Sequence, residues 1–235
     1  MLPTGEEKTA RVRAMFDAIA PRYDLVNRLI TLGLDQPWRK RAVRALALPA
    51  GSLVLDLACG TGALGELAQR AGHRVLGADM SAGMLAGRRA AVPVVQCDVA
   101  ALPFRDGTFD GLVCGYALRN FTDLGASLAE AARVLRPGGR IAVLEVDVPE
   151  TPLLRAGHSI WFHRVVPLIG AAFSDRAAYR YLPDSVAYLP AEHELRRLFR
   201  HAGFATVGRR PLEGGVSQIV TGTRAGDLAR RRGRA

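Results

Sequence analysis

The sequence predicts an α/β protein with a doubly wound, mostly parallel sheet of seven strands. From Leu53 onward, short apolar runs alternate with amphipathic helical patterns. The runs are apolar along their whole length, as is typical of parallel strands covered by helices on both faces. Two further strand patterns follow a helical pattern near the carboxyl end, and they complete the predicted seven.

The predicted elements can be placed along the chain. Five strands read LVLDLAC, HRVLGAD, VPVVQCD, DGLVCGY and RIAVLEVDV. Asp123 to Arg136 has apolar residues at helical spacing and stops at Pro137-Gly138-Gly139, which predicts a crossover helix. The stretch ELRRLFRHAGF predicts a helix closed by Gly203, with strands over Ala205 to Arg209 and Val216 to Gly222. Charged amphipathic stretches from Glu6 to Leu48 predict helices that cover the sheet edge or the mouth of a site.

We interpret the net charge of +10 as a bias in amino-acid composition, in preference to a surface patch that binds an anionic partner. The tail from Arg224 holds five arginines against Asp227, and Lys8 and Lys40 are the only lysines, which indicates a bias toward arginine. A basic RNA-binding module is the alternative of another class, but it needs aromatic side chains in a basic groove, and here the aromatics lie outside the tail. We expect no nucleic-acid partner. A contact of the tail with anionic lipid is a further hypothesis.

The location of the protein is predicted from its apolar runs and cysteines. No uncharged apolar run approaches the roughly twenty residues of a membrane-spanning helix, and the start MLPTGEEKTA lacks the features of a signal peptide. The three cysteines show no CxxC spacing, and each ends an apolar run. We expect buried free thiols and a cytoplasmic protein, with peripheral contact at the inner face of the membrane as an additional hypothesis. The oligomeric state stays open, with a homodimer as one alternative.

A glycine bend follows the first strand in LVLDLACGTGALG. Gly60, Thr61 and Gly62 are small enough for close approach of a ligand, and the helix that starts there offers unpaired N–H groups. With Gly65 they also satisfy GxGxxG, so a dinucleotide site of a dehydrogenase is an open alternative. The second strand ends in Asp79, placed to accept both hydroxyls of a ribose, and Met80 follows it.

Two more acids favour a different cofactor. Asp98 and Val99 follow the third strand, where a carboxylate accepts from an adenine amino group and a backbone N–H meets the ring edge. Asp56 lies inside the first strand, where an acid is costly unless it turns toward a polar ligand such as the amino group of a methionine moiety. The alternative is that Asp79 and Asp98 only cap helices or turns.

This set of residues, with RVLRPGGR before the fifth strand, resembles the class I methyltransferases over Leu53 to Asp147. The resemblance implies a Rossmann-like sheet and S-adenosyl-L-methionine as the cofactor. After the fourth strand, GYALRN is similar to the ubiquinone/menaquinone biosynthesis C-methyltransferase family, and MFDAIAPRYDLVNRLITLGLDQPWRK, LPFRDGTFD and AYRYLPDSVAYLP extend the likeness. It implies a lipophilic quinol substrate, a reduced polyprenylated benzoquinone or naphthoquinone, methylated on a ring carbon. The compact length and the segment YRYLPDSV favour the menaquinone branch.

The resemblance also implies roles for individual residues. It assigns Arg119 and Asn120 to catalysis and implicates Asp79 in substrate activation. Because a guanidinium stays protonated, Arg119 would support a phenolate, and Asn120 would orient a water or a quinol oxygen; the alternative is an Arg119 salt bridge that fixes the loop. Substrate contacts are expected from Tyr23, Tyr179 and Tyr181. A lipophilic mouth, or else core, is predicted from Tyr23, Trp38, Trp161, Phe162 and Phe173.

Histidines offer little support for further chemistry. His158 and His163 are five residues apart, which does not put them on one helical face, and we predict no metal site. Each is more typical of a packed or surface residue. Many family members carry a histidine in the terminal hairpin, where this chain reads Gly215-Val216-Ser217-Gln218-Ile219. This departure keeps another phenolic or polyketide-like substrate open.

One domain of 235 residues is expected, because no linker or low-complexity stretch divides the chain. Its predicted parts are an N-terminal helical cover (1–50), a cofactor-binding core (51–148), a helical substrate insert (149–190), a C-terminal helix and hairpin (191–223) and a basic tail (224–235).

Overall fold

A computed structural model of the chain describes residues 5–88, 91–174, 181–183 and 185–226. The predicted substrate contact Tyr179 and the tail beyond residue 226 lie outside the described residues. The strands are β1 (Leu53–Leu57), β2 (Arg74–Asp79), β3 (Val94–Gln96), β4 (Phe109–Gly115), β5 (Leu135–Val146), β6 (Phe204–Leu212) and β7 (Ser217–Arg224).

These strands form one seven-stranded sheet in the order β3-β2-β1-β4-β5-β7-β6. Strands β1 to β5 pair in parallel, and β7 runs antiparallel to both β5 and β6. The predicted seven-stranded, mostly parallel sheet is therefore confirmed. The strand order reverses between β1 and β4, and ligands of such sheets bind at the carboxyl ends of the strands beside that switch point.

Helices cover both faces of the sheet and its carboxyl edge. A π-helical turn over Trp161–Val165 joins two of them. Within the described residues, no helix is long and apolar enough to cross a bilayer. The helices are α1 (Gly5–Ile19), α2 (Tyr23–Ile30), α3 (Asp35–Ala45), α4 (Ala63–Arg70), α5 (Ala82–Ala86), α6 (Leu124–Val134), α7 (Pro152–Ile160), α8 (Val166–Phe173) and α9 (Glu192–His201).

The crossover helix α6 is shorter than predicted. Asp123 caps its start by accepting a hydrogen bond from the Ala126 N–H at 2.9 Å. The helix ends at Val134, because Leu135 already belongs to β5, where it pairs with Phe109 and is fully buried. The pairing then shifts, so that Arg136 to Gly139 form a bulge before Arg140 pairs with Gly111. Burial of Leu135 against the sheet overrides the helical pattern at this end.

The core has two layers, because alternate residues of each strand point to opposite faces of the sheet. Leu55 and Leu57 of β1 pack in one cluster with α6 and α9, and Val54 packs in the other with α3 and α4. Of the three cysteines, Cys59 and Cys114 are buried free thiols as predicted, whereas Cys97 is only half-buried.

The N-terminal helices and the insert meet above the carboxyl edge of the sheet. Ile19, Val26, Met84 and Val166 form a third apolar cluster that joins α1, α2, α5 and α8. Buried Lys8 of α1 donates to two backbone carbonyls of the loop after β4, and Trp161 Nε1 donates to the Ile30 carbonyl at 2.9 Å. This arrangement closes the space over the strand ends on two sides.

Candidate active site

A cavity of about 360 Å³ lies at the carboxyl ends of β1, β2, β3 and β4. The helix α1 covers it, with Thr9, Val12 and Phe16 in its wall. We call it the cofactor-side cavity. The predicted cofactor-binding residues that line it are Gly60, Asp79, Met80, Asp98 and Val99.

The glycine bend between β1 and α4 forms one edge of this cavity. Gly60 and Gly62 have φ angles of 55° and 84°, which glycine adopts without steric cost. Ala58 also has a positive φ, of 52°, and lines the cavity, a strained position that sequence reasoning missed. Thr61 and Gly62 lie in the bend but not in the cavity wall. The Thr61 hydroxyl instead donates to Asp24 at 2.9 Å and so ties α2 to the bend.

Asp79 is held by backbone N–H groups on both carboxylate oxygens. Its Oδ2 accepts from the Gly60 N–H and its Oδ1 from the Ser81 N–H, each at 2.8 Å. Burial raises the pKa of Asp79, and these hydrogen bonds oppose that shift. Because each carboxylate oxygen has a second lone pair, the side chain can cap the bend and still accept from a ligand in the cavity.

Asp98 also lines the cofactor-side cavity. Its Oδ1 accepts from the Ala100 N–H at 2.8 Å, a turn that the capping alternative predicts. The side chain is nevertheless exposed, and Val99 beside it is buried. Asp79 and Asp98 therefore both cap a turn and line the cavity.

Asp56 lies behind the glycine bend and does not line the cavity. Its Oδ2 accepts from the Gly65 N–H at 2.7 Å, at the start of α4. Its Oδ1 has no hydrogen-bond partner within the described residues. Burial raises the pKa of Asp56 to about 7, against the opposing effect of the Gly65 hydrogen bond. The carboxylate thus supports the bend from inside the strand.

A second cavity of about 360 Å³ lies between the N-terminal helices, the insert and the terminal hairpin. We call it the apolar cavity. Phe173, predicted for a lipophilic mouth, does not line it and is 45% exposed. The aromatic residues that line it as predicted are Tyr23, Trp38, Trp161 and Phe162.

Phe16, Tyr23 and Tyr116 line both cavities and form the wall between them. Tyr116 directly follows β4 and has a φ of 60°, an uncommon conformation for a bulky residue. Burial raises the pKa of Tyr116. The sequence carries no periodic signal for this role, because the residue lies in the loop and its position depends on the strained turn.

Arg119 reaches the apolar cavity from a 3₁₀ turn, Leu118–Asn120, after β4. It forms a buried ion pair with Glu145 of β5, so the salt-bridge alternative is part of the structure. Its Nη1 also donates to the Tyr116 carbonyl at 2.7 Å and its Nε to the Ser185 hydroxyl at 3.0 Å. Within the described residues, Nη2 makes no hydrogen bond, while the residue lines the cavity. Arg119 is therefore oriented by protein groups and still offers donors to a ligand.

Glu145 is a residue that sequence reasoning missed. It is fully buried, and its Oε2 has no hydrogen-bond partner within the described residues. The available signal was an acid within the apolar run RIAVLEVDV, the same signal that identified Asp56.

Asn120 belongs to the cofactor-side cavity, next to Arg119 in sequence but facing the other cavity. Its side-chain oxygen accepts from the Tyr181 hydroxyl at 3.3 Å. Burial raises the pKa of Tyr181 to about 12, so this hydroxyl is a donor at neutral pH. Tyr181 lines neither cavity, and its visible role is to orient Asn120.

His158 lines the apolar cavity, whereas His163 is exposed. The His158 Nε2 is buried without a hydrogen-bond partner among the described residues, and its ring lies 4.5 Å from that of Phe162. Burial lowers the pKa of His158, which favours the neutral imidazole. The expectation of a packed or surface residue therefore holds for His163 but is incomplete for His158.

Comparison with known proteins agrees with this geometry. The model of the ubiE/COQ5 methyltransferase family matches residues 4–224. The ubiquinone/menaquinone biosynthesis C-methyltransferase UbiE of Geobacter sulfurreducens is 40% identical, over 92% of this chain and 89% of its own length. The demethylmenaquinone methyltransferase of Roseiflexus castenholzii is 42% identical, over 96% and 98%.

A solved structure shows the same fold. The crystal structure of a SAM-dependent methyltransferase from Thermotoga maritima superposes with a TM-score of 0.64 at 21% identity, covering 90% of this chain and 99% of that one. The predicted enzyme class, a methyltransferase, is confirmed by the family match. The chain belongs to the ubiE/COQ5 methyltransferase family.

Proposed function

We propose that this enzyme transfers a methyl group from S-adenosyl-L-methionine to a ring carbon of a reduced prenylated quinone, in menaquinone biosynthesis. The single observation that carries the proposal is the pair of adjoining cavities, one bounded by carboxylates and a glycine bend, the other apolar with a buried cation. Among the residues that the structure describes, Phe16, Tyr23 and Tyr116 are the ones that line both cavities. A methyl donor and an apolar acceptor can therefore meet at this wall.

The residues of the cofactor-side cavity fit this cofactor. Asp79 accepts the ribose hydroxyls, Met80 and Val99 contact the adenine, and Asp98 accepts from its amino group. Gly60 brings the backbone close to the amino-acid end, and Thr61 and Gly62 shape the bend behind it. Asp56, whose Oδ1 is buried without a partner, places negative charge behind the bend, toward the ammonium group. The bound cofactor supplies an electrophilic methyl group, and the protein aligns the acceptor and excludes water.

The apolar cavity fits a quinol with a lipophilic tail. A phenolic hydroxyl with a pKa near 10 costs about 4 kcal/mol to ionise at neutral pH, and the phenolate raises electron density on the adjacent ring carbon. Arg119 lowers this cost, because its guanidinium stays charged and is fixed by Glu145 and the Tyr116 carbonyl. Asn120, oriented by Tyr181, holds a quinol oxygen or a water, and Tyr23 contacts the ring from the wall. Tyr179 stays a predicted substrate contact.

A direct assay tests this proposal. Purified enzyme should convert a short-chain demethylmenaquinol, with S-adenosyl-L-methionine, to a product heavier by one methylene, as measured by mass spectrometry. Asp79→Ala should bind S-adenosylhomocysteine about 100-fold more weakly in calorimetry, because two charge-assisted hydrogen bonds are lost. Asp106→Ala, on an exposed loop, is the matched control. Methyl transfer only to a prenylated benzoquinol that lacks the ring methyl group would reject the menaquinone branch. An unaltered affinity of Asp79→Ala for S-adenosylhomocysteine would reject the cofactor assignment.

One observation favours a second candidate, the same chemistry on another phenolic substrate. Val216 and Ser217, within the hairpin segment that departs from the family pattern, line the apolar cavity. The departure therefore falls on a wall that contacts the substrate. Faster turnover of a soluble phenol than of the demethylmenaquinol in the same assay would support this candidate.

A further inference from the structure

The large hydrophobic side chains that are exposed within the described residues all come from two segments, 25–34 and 148–173. The largest exposures are those of Leu153, Leu32 and Leu168, at 85%, 73% and 65%. We call the set the apolar face. It comprises Leu25, Leu32, Leu34, Val148, Leu153, Leu154, Ile160, Leu168 and Phe173.

The two segments form one continuous surface. Helix α2 packs against α8, and the Arg22 guanidinium donates to the Phe173 carbonyl at 2.9 Å. The Trp161 indole, bonded to the Ile30 carbonyl, links the insert to the end of α2. Helix α7 has no buried residue, so its leucines do not contribute to the hydrophobic core. A contiguous exposed apolar surface of this kind marks an interaction site.

Part of the apolar face also lines the apolar cavity. Leu32 and Leu34 line that cavity from the α2–α3 turn, and Leu153 and Leu154 line it from α7. A molecule that covered the face would therefore meet the cavity entrance directly.

The charges of these segments select the partner. The segment 148–173 contains Arg155 and Arg164 against Glu150, which lies 3.8 Å from Arg209, and the stretch 22–34 contains Arg22 and Arg28 against Asp24, which accepts from Thr61. All four arginines are exposed. A second copy of this chain docked through a twofold axis would bring these like charges together, which opposes a homodimer through this face. An anionic lipid surface can bury the exposed leucines in its acyl region and attract the arginines to its head groups.

We propose that the apolar face docks on the surface of an anionic bilayer, so that the mouth of the apolar cavity opens into the lipid. This docking goes beyond the proposed function and rests on it only for the identity of the substrate, a prenylated quinol. A prenyl tail could stay in the membrane while the quinol ring enters the cavity. Membrane contact is thereby placed on α2, α7 and α8, independently of the basic tail.

Vesicle sedimentation with the full-length protein tests the docking. The protein should bind phosphatidylcholine vesicles that contain phosphatidylglycerol, and Leu153→Ser with Leu168→Ser should weaken binding about tenfold, because interfacial binding scales with buried apolar area. Arg28→Ser with Arg164→Ser should weaken binding to the anionic vesicles about tenfold. Arg197→Ser with Arg200→Ser, two exposed arginines of α9, removes the same charge elsewhere and should bind as the wild type does. Circular dichroism and S-adenosylhomocysteine affinity verify that each variant folds.

Three results would overturn the docking. These are equal binding of the wild type and the Leu153/Leu168 variant, binding lost only on deletion of residues 229–235, and a wild-type dimer in light scattering that the leucine variant converts to a monomer. Turnover of a tail-less quinol in solution separates the two proposals. Ile160→Ser with Leu168→Ser, two exposed residues that do not line the apolar cavity, should retain it and lose turnover of a long-chain quinol embedded in vesicles. No turnover of any quinol by the wild type contradicts the proposed function alone.

Discussion

The two cavities are built in different ways. The cofactor-side cavity takes its polar groups from consecutive strand ends. There, Asp79 and Asp98 accept from backbone N–H groups two residues away or, for Asp79, also across the bend. The apolar cavity is assembled from α2, α3, the insert and the hairpin, which are distant in sequence. Its buried charge, Arg119, is held by a side chain from another strand.

This difference has an electrostatic consequence. Asp79 and Asp98 in one wall, with Asp56 behind it, make the first cavity suited to a cationic ligand. Arg119 lines the second cavity while Glu145, its counter-ion, lies outside the lining. Buried Asp35 also lines this cavity, and its carboxylate pairs with Arg39 at 3.4 Å. Under the proposed function, the methyl donor lies beside carboxylates and the developing phenolate lies beside the Arg119 guanidinium. Substitutions of Arg119 and its partner Glu145, of His158 and of Asp56 separate these contributions.

The largest effect is expected from Arg119. Arg119→Ala should lower kcat for short-chain demethylmenaquinol about 100-fold or more, because the charge that supports the phenolate is lost. It should also destabilise the fold by about 3 kcal/mol or more, since buried Glu145 loses its partner. Glu145→Gln keeps the guanidinium in place and should lower kcat about tenfold at most.

A paired substitution distinguishes a catalytic Arg119 from a merely structural one. Arg119→Met with Glu145→Leu replaces the ion pair by apolar groups of similar size, which is commonly neutral or stabilising. We expect this variant to unfold at a temperature near that of the wild type and to be nearly inactive. Full turnover in a stable double variant would refute the electrostatic role.

An intermediate effect is expected from His158. Its buried Nε2 can accept a hydrogen bond from a quinol hydroxyl only while the imidazole is neutral. Because burial lowers the pKa of His158, kcat/KM should fall only as the pH drops below the ordinary value near 6.5. His163 lowers this pKa further and Asp147 raises it.

His158→Phe should lower kcat/KM about tenfold at neutral pH and remove the acid limb of the pH profile. His158→Gln, which retains an acceptor, should restore part of the activity without that limb. An unchanged acid limb in both variants would show that another group titrates and that His158 only packs against Phe162.

The smallest effect on turnover is expected from Asp56, where the main change concerns stability. A carboxyl group whose pKa rises on folding binds more protons in the folded state, so its contribution to stability falls as pH rises from the unfolded value toward about 7. The slope approaches about 1 kcal/mol per pH unit between roughly pH 5 and 7. The amide side chain of Asp56→Asn keeps an acceptor for the Gly65 N–H but does not ionise in this pH range.

Thermal unfolding of Asp56→Asn and wild type from acid to mildly alkaline pH measures this difference. The advantage of the variant should grow as pH rises and level off above about pH 7. A constant difference across this range would mean that Asp56 ionises as freely as in the unfolded chain. Weaker S-adenosylhomocysteine binding by the variant would link the same carboxylate to the cofactor-side cavity.

The sequence by itself determined the sheet, the glycine bend and the polar residues at the strand ends. These features depend on local patterns: apolar runs predict buried strands, and spacing along a strand places Asp79 and Asp98 at one edge. Boundaries that depend on pairing partners were less predictable, as at Leu135, where sheet burial ends α6 early.

The tertiary structure alone decided which side chains face which cavity. Glu145 meets Arg119 across 26 residues of chain, Tyr116 enters the wall through a strained turn, and Asp56 turns to the Gly65 N–H. Adjacent Arg119 and Asn120 face different cavities. No periodic pattern encodes these contacts, because each depends on long-range packing that brings separate elements together, whereas sequence periodicity reports only which side of one element is buried.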